Sequence, residues 1–248
     1  MQLLRNIPEV LPQPCVATIG FFDGVHRGHR YLIEQVREVA VVHGFASGVV
    51  TFPVHPRKVV QPEYHPELLT AYEEKVALLA ETGLDYCMML DFTPEVAILS
   101  AKEFMLFLYN HYNIRALVIG YDHRFGHNRS EGFDDYVRYG QELGIEVILA
   151  HAYIDKDVAV SSSVIRQLLS EGNVSEAASC LGYDYFLNGI VVSGYRVGRK
   201  IGFPTANLRV DDPGKLVPSD GVYAVRVTVA GQSYGGIIDV LRYRPTNG

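Results

Sequence analysis

The run Gly20-Phe21-Phe22-Asp23-Gly24-Val25-His26-Arg27-Gly28-His29 concentrates the groups in this chain best suited to holding an anion. His26 and His29, three residues apart, fall on one turn of a helix, where both can donate to phosphoryl oxygens. Gly20, Gly24 and Gly28 let the backbone turn tightly and let a ligand approach closely. Asp23 either helps position metal or nucleotide or hydrogen-bonds the turn itself. Apolar Val16 to Ile19 precede the run, and Ile33, Val36 and Ala40 follow at helical spacing. The run therefore reads as a strand-to-helix turn, with free N–H groups and the helix dipole facing an anion. A glycine-rich turn carrying two surface histidines is the alternative that spacing leaves open.

Three further stretches carry related chemistry. Ser161-Ser162-Ser163-Val164-Ile165-Arg166 offers hydroxyls and a guanidinium fork matched to phosphate, or simply the cap of a helix. Gly120 to Gly126 supplies Asp122 and Arg124 as polar groups, with Phe125 either facing a ring or buried in the core. Thr51-Phe52-Pro53-Val54-His55-Pro56 sets His55 beside a proline turn, with Arg57 just beyond. His26, His29, His55, His123 and His127 are not expected to form a zinc site, because no cysteine falls near them and the glycine setting favours phosphate.

The elements that must position these groups alternate over residues 15 to about 155. Val16–Ile19, Ala46–Phe52, Tyr86–Asp91, Ala116–Ile119 and Glu146–Ala150 read as buried strands, with helical stretches between them. Gly44 is placed to stop the first helix. Thr70 with Glu73 and Ser100 with Glu103 are spaced as capping boxes, and Leu99 with Phe104 as a hydrophobic staple. Such alternation predicts a mostly parallel sheet covered on both faces, which binds ligands at the carboxyl ends of its strands. Three of the stretches above fall at or just beyond such ends. Past residue 183 the pattern changes: Tyr223, Val225, Val227 and Val229 alternate with Ala224, Arg226, Thr228 and Ala230, the period of a half-buried antiparallel strand. The expected organisation is an α/β domain over 1–183, ending in a short helix at Ser175 to Leu181, and an all-β domain over 184–248.

The Gly20–His29 run resembles the His-x-Gly-His signature of nucleotidyltransferases, in the form found in prokaryotic bifunctional riboflavin kinase/FAD synthetases. Thr51 to Pro56, Gly120 to Gly126, Ser161 to Arg166 and Gly189 to Leu208 match that family in order. The resemblance implies a Rossmann-like nucleotidyltransferase domain followed by an antiparallel β-barrel, here incomplete. It implies adenylyl transfer from ATP to FMN, giving FAD and pyrophosphate, and phosphorylation of riboflavin to FMN by the parent protein. His26, His29 and Arg166 would be catalytic. Gly20, Phe22, Asp23, Gly24, Gly28, Ser161, Ser162 and Ser163 would hold the nucleotide. Thr51, His55, Asp122, Arg124 and Phe125 would line the flavin side, with His55 and Arg57 as phosphate contacts for FMN. In the second module Gly198, Arg199 and Gly202 would cradle ATP phosphates. Thr205 and Asn207 would ligate Mg²⁺, as hard oxygen donors do.

The chain departs from the family near its end. Arg244-Pro245-Thr246 is present, but Ile238 to Tyr243 before it fits the family poorly, and the downstream acidic base has no counterpart in these 248 residues. Either the sequence is a truncated or incompletely represented form or its second domain is disabled, so adenylyl transfer is expected of it and kinase turnover is not. A net charge of −6 argues against general nucleic-acid binding. The sequence shows neither a secretion signal nor a long apolar span, and Cys15, Cys87 and Cys180 are too scattered for a disulfide framework. A cytoplasmic enzyme of small-molecule substrates is the expectation. Another small-molecule nucleotidyltransferase, or a non-catalytic flavin- or nucleotide-binding regulator, are the competing readings.

Overall fold

A computed structural model describes the chain except for residues 6–10, 62, 122, 128, 156–157, 194–201, 203–204 and 242–248. The strands of the α/β part are β1 (Gln2–Arg5), β2 (Cys15–Ile19), β3 (Ala46–Thr51), β4 (Tyr86–Met89), β5 (Ile114–Ile119) and β6 (Glu146–Leu149). Its helices are α1 (Arg27–His43), α2 (Pro56–Val60), α3 (Tyr72–Ala80), α4 (Pro94–Ala97), α5 (Ala101–Tyr112) and α6 (Phe133–Leu143). These six strands form one sheet in the order β1-β4-β3-β2-β5-β6, parallel throughout, and beyond them β7 (Ile154–Asp155) pairs antiparallel with β8 (Val158–Ala159). From β2 the chain winds outward through β3 and β4 on one side, then returns to β5 and β6 on the other. The change of winding direction falls between β2 and β5, where open parallel sheets leave a crevice beyond their carboxyl ends. The turn after β2 opens at that crevice.

The core explains why these segments settle where they do. All of β2 and β3 is buried, as expected of strands covered on both faces. Ile33, Val36 and Ala40 form the buried stripe of α1, and Gly44 ends that helix in the left-handed conformation, as the sequence leads one to expect. The Ser100–Glu103 capping box is formed in both directions at the start of α5. The Thr70–Glu73 spacing is displaced: α3 begins at Tyr72, so the position before it is Ala71, one residue later than the box requires.

The chain forms two compact units, one of Met1–Pro66 with Tyr72–Ser161, the other of Glu67–Ala71 with the chain from Ser162 onward. The second contains α7 (Ser162–Ser170), α8 (Val174–Leu181) and the strands β9 (Gly189–Val192), β10 (Asn207–Val210), β11 (Gly221–Val229) and β12 (Gln232–Val240). Among the described residues, β9 pairs with β10 and β11 with β12, both antiparallel. Within β11, Tyr223 and Val225 are half-buried, but Val227 and Val229 are exposed, so the expected alternation holds only over its first half. Glu67–Ala71 joins this unit by backbone pairing: Leu68 donates to the Gly214 carbonyl and accepts from Leu216, both at 2.8 Å.

Gly140 of α6 shows how closely helix and sheet approach. A methyl group there would run into the Ile145 carbonyl oxygen and come within 2.8 Å of Val147 Cγ2. Alanine normally stabilises a helix interior relative to glycine. Here Gly140→Ala is expected to destabilise by roughly 1–3 kcal/mol, read as a lower urea midpoint at unchanged m-value.

Candidate active site

Phe22, Gly24 and Val25 all have positive φ, at 55°, 80° and 36°. Glycine adopts that region freely, but a β-branched residue does so only when its surroundings over-determine it. Val25 is fully buried and donates its N–H to the Phe22 carbonyl at 3.2 Å. Arg30, one turn into α1, donates to the Val25 carbonyl at 3.3 Å and pairs with Glu81 at 3.1 Å. The Phe22 ring packs edge-on to His29 at 5.1 Å. At Gly28 a methyl group would lie 3.2 Å from the His26 ring and 3.3 Å from the Val160 carbonyl oxygen. A side chain there would have to push the His26 ring or the chain just ahead of Ser161 back by a few tenths of an ångström.

The two histidines have different tasks. His26 is the residue capping α1: its Nδ1 accepts the His29 N–H at 3.3 Å, which places its proton on Nε2. Its ring is 5 % exposed and stacks on the His29 ring with centroids 3.6 Å apart. His29 Nδ1 is buried and has no hydrogen-bond partner among the described residues. Burial, then His26, then Lys75 hold the His29 pKa well below its usual value, so the ring is neutral. Asp23 is also buried, at 3 % exposure.

The loop after β3 meets this turn through Phe21. Thr51, completely buried, donates its hydroxyl to the Phe21 carbonyl at 3.2 Å, so that hydroxyl serves to tie two strand ends. His55 lies 4.7 Å from the Phe21 ring and 5.3 Å from Tyr64. Its Nδ1 accepts from the Arg57 N–H, and Arg57 sits over Tyr64 at 4.3 Å. The third stretch stands differently. Phe125 is in the core, stacked on Tyr136 at 4.2 Å, which is the buried alternative of the sequence reading, while Arg124 is exposed. Asp122 lies outside the described residues.

Ser161 ends the first compact unit, and α7 begins at Ser162. The serine run is thus a helix start, with Ser162, Ser163 and Arg166 in the second unit. There Arg166 donates to the Glu67 carbonyl at 2.9 Å. Gly198, Arg199 and the Arg244-Pro245-Thr246 stretch lie outside the described residues. Gly202, Thr205 and Asn207 are exposed, with Asn207 opening β10 opposite Val192. Among the described residues no group of three or more His, Cys, Asp and Glu side chains is arranged to hold a metal ion.

Sequence reading overlooked Lys75. It is 2 % exposed, donates to the Phe52 and Phe21 carbonyls at 2.7 and 3.1 Å, and lies 3.9 Å over the Phe21 ring. Burial pushes its pKa down to about 8, against the opposing pull of Asp23 and Cys87. The available signal was spacing: Lys75 shares its helix face with Leu78 and Leu79, where a cation needs a reason.

The family model described as FAD synthetase matches residues 9–164, and the one described as riboflavin kinase matches residues 181–248. The bifunctional riboflavin kinase/FMN adenylyltransferase of Escherichia coli strain K12 is 36% identical over 236 residues, covering 94% of this chain and 75% of the relative. The Bacillus subtilis strain 168 protein of the same name is 33% identical over 232 residues, covering 93% and 72%. A crystal structure described as a macrolide-efflux protein from Streptococcus pneumoniae superposes with a TM-score of 0.85 at 32% identity, covering 96% of this chain and 77% of that one. Among the described residues of the present chain, no helix is long and apolar enough to cross a membrane.

The state of His29 has a measurable consequence. Its folded ring holds fewer protons than the unfolded one. The stability it contributes is therefore complete above the ordinary value of 6.5 and is lost as pH falls below that toward the folded value. In a ligand-free NMR titration the His29 ring is expected to stay neutral below pH 6.5. Inorganic pyrophosphate is expected to raise its pKa; an unchanged titration would show that no anion reaches this turn.

Proposed function

The chain belongs to the bifunctional riboflavin kinase/FMN adenylyltransferase family, and from that premise we propose that it makes FAD at the turn between β2 and α1. ATP and FMN are the substrates, FAD and pyrophosphate the products. A phosphate oxygen of FMN forms a bond to the α-phosphorus of ATP as the bond to the β-phosphate breaks, and negative charge gathers on the departing pyrophosphate. Positioned donors are what such a reaction asks of a protein.

The observation that carries this reading is the buried, unpartnered Nδ1 of neutral His29 at the first turn of α1. A buried polar atom left without a partner costs roughly 1–3 kcal/mol, and a turn of the ring that brings Nδ1 to an entering phosphate would supply the partner. The same phosphate would raise the ring's pKa and let it take up charge as the leaving group does. His26 orients His29 by capping its N–H and stacking on its ring. Gly20, Phe22, Asp23, Gly24 and Gly28 shape the anion seat. Ser161, Ser162, Ser163 and Arg166 are assigned to the nucleotide, and His55, Asp122 and Arg124 to the flavin side, where Thr51 supports the wall by its bond to the Phe21 carbonyl. Phe125 acts there only as core support.

Riboflavin phosphorylation is assigned to the module over 184–248, with the adenylyltransferase over 1–183. Gly198, Arg199 and Gly202 would face ATP phosphates in that module. Thr205 and Asn207 are exposed oxygen donors two residues apart, a set that suits a hydrated Mg²⁺. In adenylyl transfer Mg²⁺ enters with ATP as part of the substrate. Buried Cys15 and Cys87, both free thiols, suit the reducing cytoplasm, and the net charge of −6 offers nucleic acid no attraction.

Purified protein given FMN, ATP and Mg²⁺ is expected to release FAD and pyrophosphate in equal amounts, read by chromatography. His29→Ala is expected to slow this by roughly 10²-fold or more. Folded protein that forms no FAD would overturn the assignment, and an undiminished His29→Ala rate would remove that residue from the mechanism.

A further inference from the structure

Two loops must keep a fixed relation if the anion seat is to work: the turn after β2 and the segment after β3. They leave neighbouring parallel strands in register, with Ile19 beside Val50. The pairing continues as far as the Gly20 N–H, which donates to the Val50 carbonyl at 3.0 Å; past it side chains make the ties, and each loop carries groups assigned to substrate.

We propose that Lys75 is a positioning residue for adenylyl transfer: its ammonium grips the Phe21 and Phe52 carbonyls and so locks the two strand-end loops into one substrate pocket. The inference rests on the adenylyl-transfer reading. Lys75 Nζ reaches the Phe52 carbonyl at 2.7 Å and the Phe21 carbonyl at 3.1 Å, one on each loop. Phe21 is the junction of the network. Its carbonyl also accepts from Thr51, its ring lies under Lys75 at 3.9 Å, and the same ring meets His55 edge-on at 4.7 Å. The next residue, Phe22, begins the left-handed stretch that ends at Val25. A displacement of Phe21 is thus passed into the backbone that aims His26 and His29, and also into the ring beside His55.

An ammonium is suited to this task where other side chains are not. It brings three donors and no acceptor, so it can hold two carbonyls at once. A guanidinium would spread those donors over a planar fork too wide for a site this closed. Burial of the charge is costly, and the nearby Asp23 carboxylate and the Phe21 ring offset part of that cost. A lysine used only to fill space on the face shared with Leu78 and Leu79 would be better replaced by methionine.

Lys75→Met keeps the length of the side chain and removes the donors. It is expected to fold with a thermal midpoint within a few degrees of wild type, yet lose roughly ten- to a hundredfold in kcat/KM for FAD formation, as misplaced groups do. Its calorimetric affinity for ATP is expected to weaken as well. Lys75→Ala is expected to regain activity with n-propylammonium but not with 1-propanol, a difference that a space-filling role would not produce. If Lys75→Met does not fold, Lys75→Ala prepared with n-propylammonium and then stripped of it makes the same comparison. Wild-type kinetics and ATP affinity in folded Lys75→Met, or equal recovery with the amine and the alcohol, would overturn the proposal. Wild-type protein that binds ATP and forms no FAD would instead overturn the adenylyl-transfer reading, and the ATP affinities would still decide the role of Lys75.

Discussion

The site depends on a backbone held where backbones resist going. Between β2 and α1 the chain passes through positive φ at Phe22, Gly24 and Val25 within four residues. Two of the three carry side chains, and a non-glycine residue in such a region costs on the order of 1–3 kcal/mol. Those same two are among the most buried residues of the molecule, Phe22 at 2 % and Val25 at 0 % exposure. Full burial of a large apolar side chain is worth about 1.5–3 kcal/mol, enough to offset strain of that size. The hydrophobic core therefore holds the turn, and polar ties such as Arg30 to the Val25 carbonyl fix its detail. What the strain secures is a helix whose first turn opens at the crevice where the winding of the sheet reverses.

Burial sets the electrostatics. It is the first cause that lowers both His29 and Lys75; at His29 the charges of His26 and Lys75 add to it, while at Lys75 Asp23 and Cys87 oppose it. The lysine, with the highest intrinsic proton affinity and an aspartate nearby, keeps its charge at neutral pH even with its pKa down at about 8. His29 yields. The resting site thus holds an imidazole whose basicity is suppressed by its surroundings and would be restored by a neighbouring anion. That fits a reaction in which negative charge arrives with substrate and grows on the leaving group. A permanently charged residue in the same place would interact about equally with ground state and transition state.

Elements with local signals were legible in the sequence. Five of the six strands of the sheet, the Gly44 stop and the Ser100–Glu103 box each depend on residues within a few positions, and each is found where those residues place it; edge strand β1 carried no such reading, and β6, expected to be buried, is half-exposed. Features set by distant partners were not legible. Phe125 became a core residue because Tyr136, on another element, stacks on it. The Glu67–Ala71 segment pairs with residues around Gly214 and Leu216, which no local pattern could announce. Lys75 escaped notice because a lysine in a helix ordinarily signals solvent, and only its place on the Leu78 and Leu79 face says otherwise. Thr51 fell between the two cases: its segment was singled out, but its hydroxyl turned inward to a carbonyl.

The second compact unit repeats the device found in the first. Lys215 is 5 % exposed, donates to the Leu69 carbonyl at 3.1 Å, and lies 4.9 and 4.6 Å from the rings of Tyr185 and Phe186. In both units a buried ammonium rests on a main-chain oxygen and against an aromatic face. In both it ties segments far apart in sequence, Phe21 and Phe52 to α3 in one case, Leu69 to the strand-rich part in the other. Carbonyl dipoles and ring faces stabilise such a charge without a second ion to desolvate. The geometry also makes the tie conditional on packing: if the aromatic ring moves, the lysine loses much of what compensates its burial. A segment fastened in this way is fixed only once the surrounding core has formed, so each tie depends on the core of its own unit.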